Sequence, residues 1–322
     1  MRIFVLSDTS LETPHPAGHG LGFVNYQIAE GLRANGHDVV LFAKQGSSFS
    51  GSLVTVKANG YEGEKILAKA AYQHHKQQSA DVILDGGHIH YLSAMFPDLP
   101  VVNVYHDMYQ PYQRCPVLLS EGQRALMPPP FEGARIIPNA LDASRIQWSN
   151  IPGGYAVFLG AISDLKQPML AIEACARMKL PLVLAGMPVN NFGLALTKHN
   201  NAQYIGTITG EAKFSLLRGA RVLLQLSGVE SFGLTTLEAM LTGTPVVALP
   251  SGGNVDLIEY GKSGILVQPS GDMVGAVVDA MKAAKYLDRK GVRESGERFG
   301  NVETMIDCYE SVLADVMRGE WW

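Results

Sequence analysis

Cysteine is scarce in this chain of 322 residues. Cys115, Cys175 and Cys308 are scattered without paired spacing, which excludes a disulfide framework and favours a reducing compartment. Long apolar runs are absent too, and none reaches the ~18 residues that a membrane span needs. The first run, Ile3–Leu6, is too short for a signal peptide and reads as an opening strand. Charge of one sign is lacking: the net charge is −4 and no basic stripe occurs, so a nucleic-acid partner is not expected. No Asp-x-Asp triplet is present, which removes the usual carboxylate route to a metal-bridged phosphate. His88 and His90 form an H-x-H, but no carboxylate or cysteine cluster completes a metal site around them, and they read as loop residues. These absences describe a soluble, cytoplasmic protein whose contact with a membrane is at most peripheral. Trp321 and Trp322 are the candidates for such a contact, and packing on a neighbour or fraying fits them as well.

What the chain does have is apolar content, 47% of residues against 17% charged, the mark of a compact globular protein. Its length suits two domains better than one core. Short apolar runs alternate with helical patterns. Ile3–Leu6, Val39–Ala43, Val82–Leu84, Val101–Tyr105, Val117–Leu119 and Ile136–Ile137 read as strands, with helices over 23–34 and 65–77. The polar Pro/Gly stretch Trp148–Gly154 reads as a linker. A second series follows, with strands at Ala156–Leu159, Leu182–Ala185, Gln203–Ile205, Val222–Leu226, Pro245–Leu249 and Ile265–Val267. Helices lie over 168–178, 211–219 and from Asp272 onward. Strand–helix alternation argues for two Rossmann-like, doubly wound parallel-sheet domains, one over residues 1–150 and one over 151–300.

The most informative stretch is Ser227–Gly243, SGVESFGLTTLEAMLTG. It runs from a buried-strand pattern through a turn into a helix expected from Thr235 to Gly243. Glu238 fits the capping box Thr235-Thr-Leu-Glu238 and suits a positive helix end. That leaves Glu230 and the turn Ser231–Leu234 without an explanation, and a glycine turn ahead of a helix end is suited to phosphate. The segment resembles the E-x7-E signature of retaining glycosyltransferases of family 4, which have the GT-B fold, through Glu230, Phe232, Gly233, Leu234, Glu238, Ala239, Met240, Gly243, Pro245 and Val246. Further segments resemble the family in order. They are Gly20 in a glycine-rich loop, His106 at a strand end, Asn139–Asp142, Lys166, Gly252–Ile258 and Gly261–Val267. Four positions depart from it: His19 and Ala140 replace glycines, Asp256 stands where glutamate is usual, and Ala161 stands where the family carries a phosphate-binding arginine.

The resemblance implies two domains facing across a cleft, with the N-terminal one on the acceptor side. The C-terminal helix, over 301–322, would pack back on that domain. It implies that Glu238 binds ribose hydroxyls of a nucleoside diphosphate sugar and that Glu230, the catalytic residue, holds hydroxyls of the donor sugar. Phe232, Gly233 and Leu234 line the same pocket with backbone, Gly20 approaches the phosphates, and Lys166 binds the diphosphate. His106 orients the sugar as the second catalytic candidate. It also implies sugar transfer from a UDP-glucose-like or GDP-mannose-like donor to a small-molecule, glycan or lipid-linked hydroxyl acceptor. No cofactor and no metal are expected. A nucleotide-sugar 2-epimerase of the same architecture, a glycosidase using the two glutamates, and a non-catalytic nucleotide-sugar-binding protein are the alternatives.

Overall fold

A computed structural model of the chain describes residues 1–14, 20–108, 110–189 and 200–322. They form two compact units, one of residues 1–139 and 302–322 and the other of residues 140–301. In the first, β1 (Arg2–Leu6), β2 (Asp38–Lys44), β3 (Ser52–Val56), β4 (Val82–Asp85), β5 (Val101–Val104), β6 (Pro116–Leu118) and β7 (Arg135–Ile136) make one sheet in the order β3-β2-β1-β4-β5-β6-β7. All its pairings are parallel. The central runs are apolar on both faces because helices cover both: Ile3, Phe4 and Val5 have no exposed surface. Those helices include α1 (Gly20–Ala34), α2 (Gly60–Gln77), α3 (Tyr91–Met95) and α4 (Glu121–Leu126).

Strand β3, SLVTV, has no counterpart in the sequence reading. It is an edge strand whose residues are mostly exposed or half-buried, so the continuous apolar run that marks a central parallel strand is missing there.

The second unit repeats the winding. Strands β8 (Ala156–Leu159), β9 (Leu182–Ala185), β10 (Ala202–Tyr204), β11 (Val222–Gln225), β12 (Val246–Ala248) and β13 (Gly264–Leu266) make a parallel sheet in the order β10-β9-β8-β11-β12-β13. Its helices are α5 (Pro168–Met178), α6 (Gly210–Arg218), α7 (Leu234–Leu241), α8 (Asn254–Leu257), α9 (Met273–Ala284) and α10 (Arg289–Glu297). Asp272 and Asp288 cap α9 and α10 by accepting first-turn N–H groups. The polar stretch at Trp148–Gly154 lies inside this unit, fastened by the Ser149 N–H on the Thr242 carbonyl and by Arg289 on the Ser149 carbonyl.

The last helix, α11 (Val302–Met317), belongs to the first unit. Met305, Ile306, Tyr309, Val312 and Leu313 are buried along one face of it. The two terminal tryptophans are docked. Trp322 Nε1 donates to the Pro116 carbonyl at 2.9 Å, the Cys115 N–H donates to the Trp322 carbonyl at 2.8 Å, and the Arg114 and Arg135 guanidinium groups lie over the two indoles at 4.0 and 4.8 Å. Among the described residues no helix is long and apolar enough to cross a membrane.

In each sheet the strand order reverses once, between β1 and β4 and between β8 and β11. Loops leaving the carboxyl ends of the flanking strands diverge at such a point and open a crevice for a ligand.

Candidate functional site

At the reversal point of the second unit, β8 leads into a loop ending in the short turn Asp164–Lys166, and β11 leads into the loop before α7. The Gly228 N–H donates to the Leu165 carbonyl at 3.2 Å and ties the loops together. Lys166 Nζ therefore lies 2.6 Å from Glu230 Oε2, and Gln225 Nε2 lies 3.3 Å from the same oxygen. Both charged side chains keep some exposure, 26% and 16%, so the pair is open to an incoming ligand. Gly252 and Gly253 form the shelf beneath Glu230. Gly252 has φ +47°, and a Cβ there would stand 1.6 Å from the Glu230 carbonyl, which only glycine avoids. Gly253 donates its N–H to that carbonyl at 3.0 Å.

Gly233, at φ 99°, turns the chain into α7. The helix starts at Leu234, and the capping box expected from Thr235 and Glu238 does not form. Gly233 holds the N-cap position and offers no side-chain acceptor. Glu238 thus falls in the second turn and reaches across to α6, where its Oε1 takes the Lys213 ammonium in a nearly buried ion pair, the side chains 11% and 14% exposed. Leu234 and Thr235 are half-buried, and the first-turn amides lie outside the helix's own hydrogen-bond ladder. The Phe232 ring packs edge-on against Phe299 at 5.9 Å, buried, so Phe232 can serve a ligand with its backbone only. Ala161 is exposed and brings only a methyl group.

Lys166, Glu230, Phe232, Gly233, Leu234 and Glu238 thus gather at one edge of one unit, whereas Gly20 and His106 belong to the other. Gly20 is the exposed first residue of α1. Gly18 and His19 lie outside the described residues. His106, two residues past β5, is half-buried, and its Nε2 is enclosed without a hydrogen-bond partner among the described residues. Burial, with the neighbouring His88 and His90 charges, pushes its pKa down to about 3, so the ring is neutral at physiological pH. Among the described residues no three His, Cys, Asp or Glu side chains converge as a metal site.

Lys213, Gln225 and Glu64 escaped the sequence reading. Lys213 carries a faint signal: it lies four residues before the buried Leu217, a lysine on the core-facing stripe of its helix. Glu64, on α2, is 5% exposed, and its Oε2 accepts the His88 and Ile89 N–H groups at 2.9 and 3.0 Å. Burial, reinforced by Asp85, raises its pKa from 4.5 to about 7 against the pull of those two N–H groups. The folded chain therefore holds a proton between pH 4.5 and 7 that the unfolded chain releases, and stability falls as pH rises through that window. Gln at this position keeps an acceptor for both N–H groups and has nothing to ionise. Glu64→Gln is expected to unfold like the parent in urea at pH 4.5 and to gain up to about 3 kcal/mol over it at pH 8. A pH-independent difference contradicts the assignment.

Residues 149–294 match the family model described as Glycosyl transferases group 1. A D-inositol 3-phosphate glycosyltransferase of Geodermatophilus obscurus is 26% identical over 215 residues, 59% of this chain and 48% of the relative. The chain thus spans about half the length of that relative. Among solved structures, AviGT4, a glycosyltransferase involved in avilamycin A biosynthesis, superposes with a TM-score of 0.80 at 21% identity, covering 100% of this chain and 99% of the other. HepE of Anabaena, solved with UDP and glucose, gives 0.73 at 17% identity over 98% and 100%. At such identities the structural likeness speaks for fold alone. The architecture is the GT-B fold, and residues 149–294, within the unit that gathers the two lysine–glutamate pairs, carry the sequence pattern of the group 1 glycosyl transferases.

Proposed function

We propose that the chain is a retaining, metal-independent glycosyltransferase of family 4 type. It would move a hexose from a nucleoside diphosphate sugar to a hydroxyl acceptor. The observation that carries this reading is the Lys166–Glu230 contact of 2.6 Å at the reversal point of the second sheet, beside the amide end of α7. An ammonium and helix amides suit a diphosphate, and a carboxylate suits sugar hydroxyls because it only accepts hydrogen bonds. Glu238, held as a nearly buried carboxylate by Lys213, has its remaining acceptor capacity for the ribose. Lys213 also brings a second cation to an edge where Ala161 supplies none. On cleavage of the anomeric C–O bond the diphosphate leaves with the electron pair, and Lys166 with the loop amides stabilises the charge that develops. His106, a neutral imidazole, would orient the transferred sugar, and Gly20 would let backbone approach the phosphates.

The test is a thermal-shift panel of UDP, GDP, ADP and their sugars, followed by donor hydrolysis and transfer assays. UDP-glucose and GDP-mannose are the first donors to try. Reversible loss of activity in EDTA contradicts metal independence, and a product sugar still bearing UDP points to an epimerase. Tight donor binding with no transfer to any acceptor makes the chain a binding protein, a reading to which the exposed Ala161 gives some support. Lys166→Met should weaken binding of the nucleoside diphosphate by about 2–3 kcal/mol, the range for a hydrogen bond to a charged group, and leave affinity for the free nucleoside unchanged in calorimetry. Equal losses for both ligands would remove Lys166 from the phosphates.

A further inference from the structure

The amino pole of the second sheet carries positive charge that the fold leaves uncompensated. Arg221 stands just before β11, Lys285 just after α9, and Arg289 opens α10. Arg289 is 4% exposed, yet its guanidinium meets no carboxylate among the described residues. Four of its five N–H groups donate to the carbonyls of Ser149, Ala220 and Arg218 and to Thr244 Oγ1. The second N–H of Nη1 has no acceptor among the described residues. A buried charge held by neutral dipoles alone is one that a nearby anion stabilises.

A cavity of about 240 Å³ opens beside it, and Arg221, Lys285 and Arg289 line it together. Arg221 uses only its Nε, on the Gly153 carbonyl at 3.4 Å, and its two terminal nitrogens have no partner among the described residues. The exposed Lys285 ammonium lies over the Tyr286 ring at 5.6 Å, again with no carboxylate among the described residues. The acid in the lining, Asp288, is engaged elsewhere. Its Oδ1 and Oδ2 accept the Lys290 and Gly291 N–H groups at 3.3 and 3.1 Å, at the start of α10. Three cations thus face one carboxylate that is already satisfied.

Charge and size select the ligand. Two guanidinium groups and an ammonium around one space suit an oxyanion that takes hydrogen bonds in pairs. A phosphate answers more of that charge than a single carboxylate, since it carries close to two negative charges at neutral pH. Pro152, Pro245 and Leu287 add apolar wall, which leaves room for a short carbon chain. The space is smaller than the about 300–1,000 Å³ that encloses a drug-sized ligand, so a whole nucleotide does not fit. Nor is this the edge that holds Lys166. β11 runs from Arg221 at this pole to Gln225, beside Glu230, at the other, about 13 Å of strand.

We propose that the amino pole of the second unit is a binding site for a phosphate group, free or carried on a small molecule, with Arg221 and Lys285 as its ligands and Arg289 as the buried charge beside it. An occupant ties the stretch entering the unit to the start of β11 and to the α9–α10 connection, and so stabilises the unit. The site goes beyond the transferase reading and does not depend on it.

The test titrates the full chain with inorganic phosphate, with glycerol 3-phosphate and, as a neutral control, with glycerol, at an ionic strength fixed with sodium chloride. Binding is followed by protein NMR and by thermal unfolding. At least one of the two phosphates is expected to bind in the low millimolar range or tighter and to raise Tm, whereas glycerol does neither. Equal affinities identify the free ion as sufficient, and glycerol 3-phosphate binding about tenfold more tightly identifies an ester as the occupant. Arg221→Gln should raise the Kd about tenfold and Lys285→Met about threefold. Arg221→Lys, which keeps the charge without the fork, should recover part of the loss. Lys166→Met, at the other edge, should bind phosphate as the parent does. Three results overturn the inference: no saturable binding of either phosphate up to about 20 mM, parental affinity in Arg221→Gln or in Lys285→Met, or a loss in Lys166→Met that Arg221→Gln does not share, which moves the anion to the carboxyl edge.

Discussion

Glu230→Gln should lower turnover by about 10²–10³-fold, the loss that follows removal of one preorganised electrostatic group from an active site. The side chain changes neither in length nor in shape, so the loop on its glycine shelf should persist, and thermal unfolding should be unaffected. What disappears is a negative charge. Sugar transfer builds positive character at the anomeric carbon as the diphosphate departs, and a carboxylate at that place is worth more in the transition state than in the ground state. The same oxygen holds Lys166 at 2.6 Å, which offers a second route to lost activity: an ammonium set free to wander. The two routes separate in the kinetics. If the loss is electrostatic, kcat falls while Kd for the nucleoside diphosphate stays within about threefold. If Lys166 has been displaced, affinity falls with it, and Lys166→Met shows the same profile. Turnover within about threefold of the parent would remove Glu230 from the chemistry.

The winding of both sheets was legible because central parallel strands are buried on both faces and so read as bare apolar runs. Val82–Leu84 and Ala156–Leu159 are cases in point, every residue being buried. β3 stayed hidden because an edge strand need not be apolar. In the candidate site, Lys166 and Glu230 were legible as members of a motif, but their contact was not, since 64 residues separate them and only the crossover topology brings the two loops together. Lys213 shows the limit more sharply. Its place on the core-facing stripe of its helix is a faint mark, but nothing local names a partner on the next helix, and the capping-box reading of Glu238 is locally sound until Gly233 moves the helix start. The terminal tryptophans teach the same lesson: as letters they are open to several readings, and their partners at Arg114, Arg135 and Pro116 become neighbours only in the fold.

Arg289→Met should cost the second unit about 4 kcal/mol in urea unfolding, more than any surface ion pair could account for. Arg289 opens α10 and is 4% exposed. Its guanidinium has no carboxylate among the partners seen; it donates to the carbonyls of Ser149, Ala220 and Arg218 at 2.7, 2.8 and 2.8 Å and to Thr244 Oγ1 at 2.9 Å. Burial lowers its pKa to about 10, so it remains charged at neutral pH, solvated by three carbonyl dipoles and one hydroxyl. The four acceptors come from separate places: the stretch entering the unit, the end of α6 and the residues beyond it, and the turn after α7. One planar fork thus closes the pole of the sheet opposite the ligand edge. Methionine fills much of the volume but leaves three buried carbonyls without a donor, at about 1–3 kcal/mol each. Removing a buried charge offsets part of that. Lysine restores the charge without the fork's geometry, and Arg289→Lys should recover less than half of the loss, about 1–2 kcal/mol. Nucleotide affinity measured well below the unfolding midpoint should not change in either variant, because these contacts lie at the strands' amino ends. A loss under about 1 kcal/mol for Arg289→Met would mean that water replaces the guanidinium at little cost, and that the entering stretch is held by its other contacts, among them Arg293 on the Ala143 and Ile146 carbonyls.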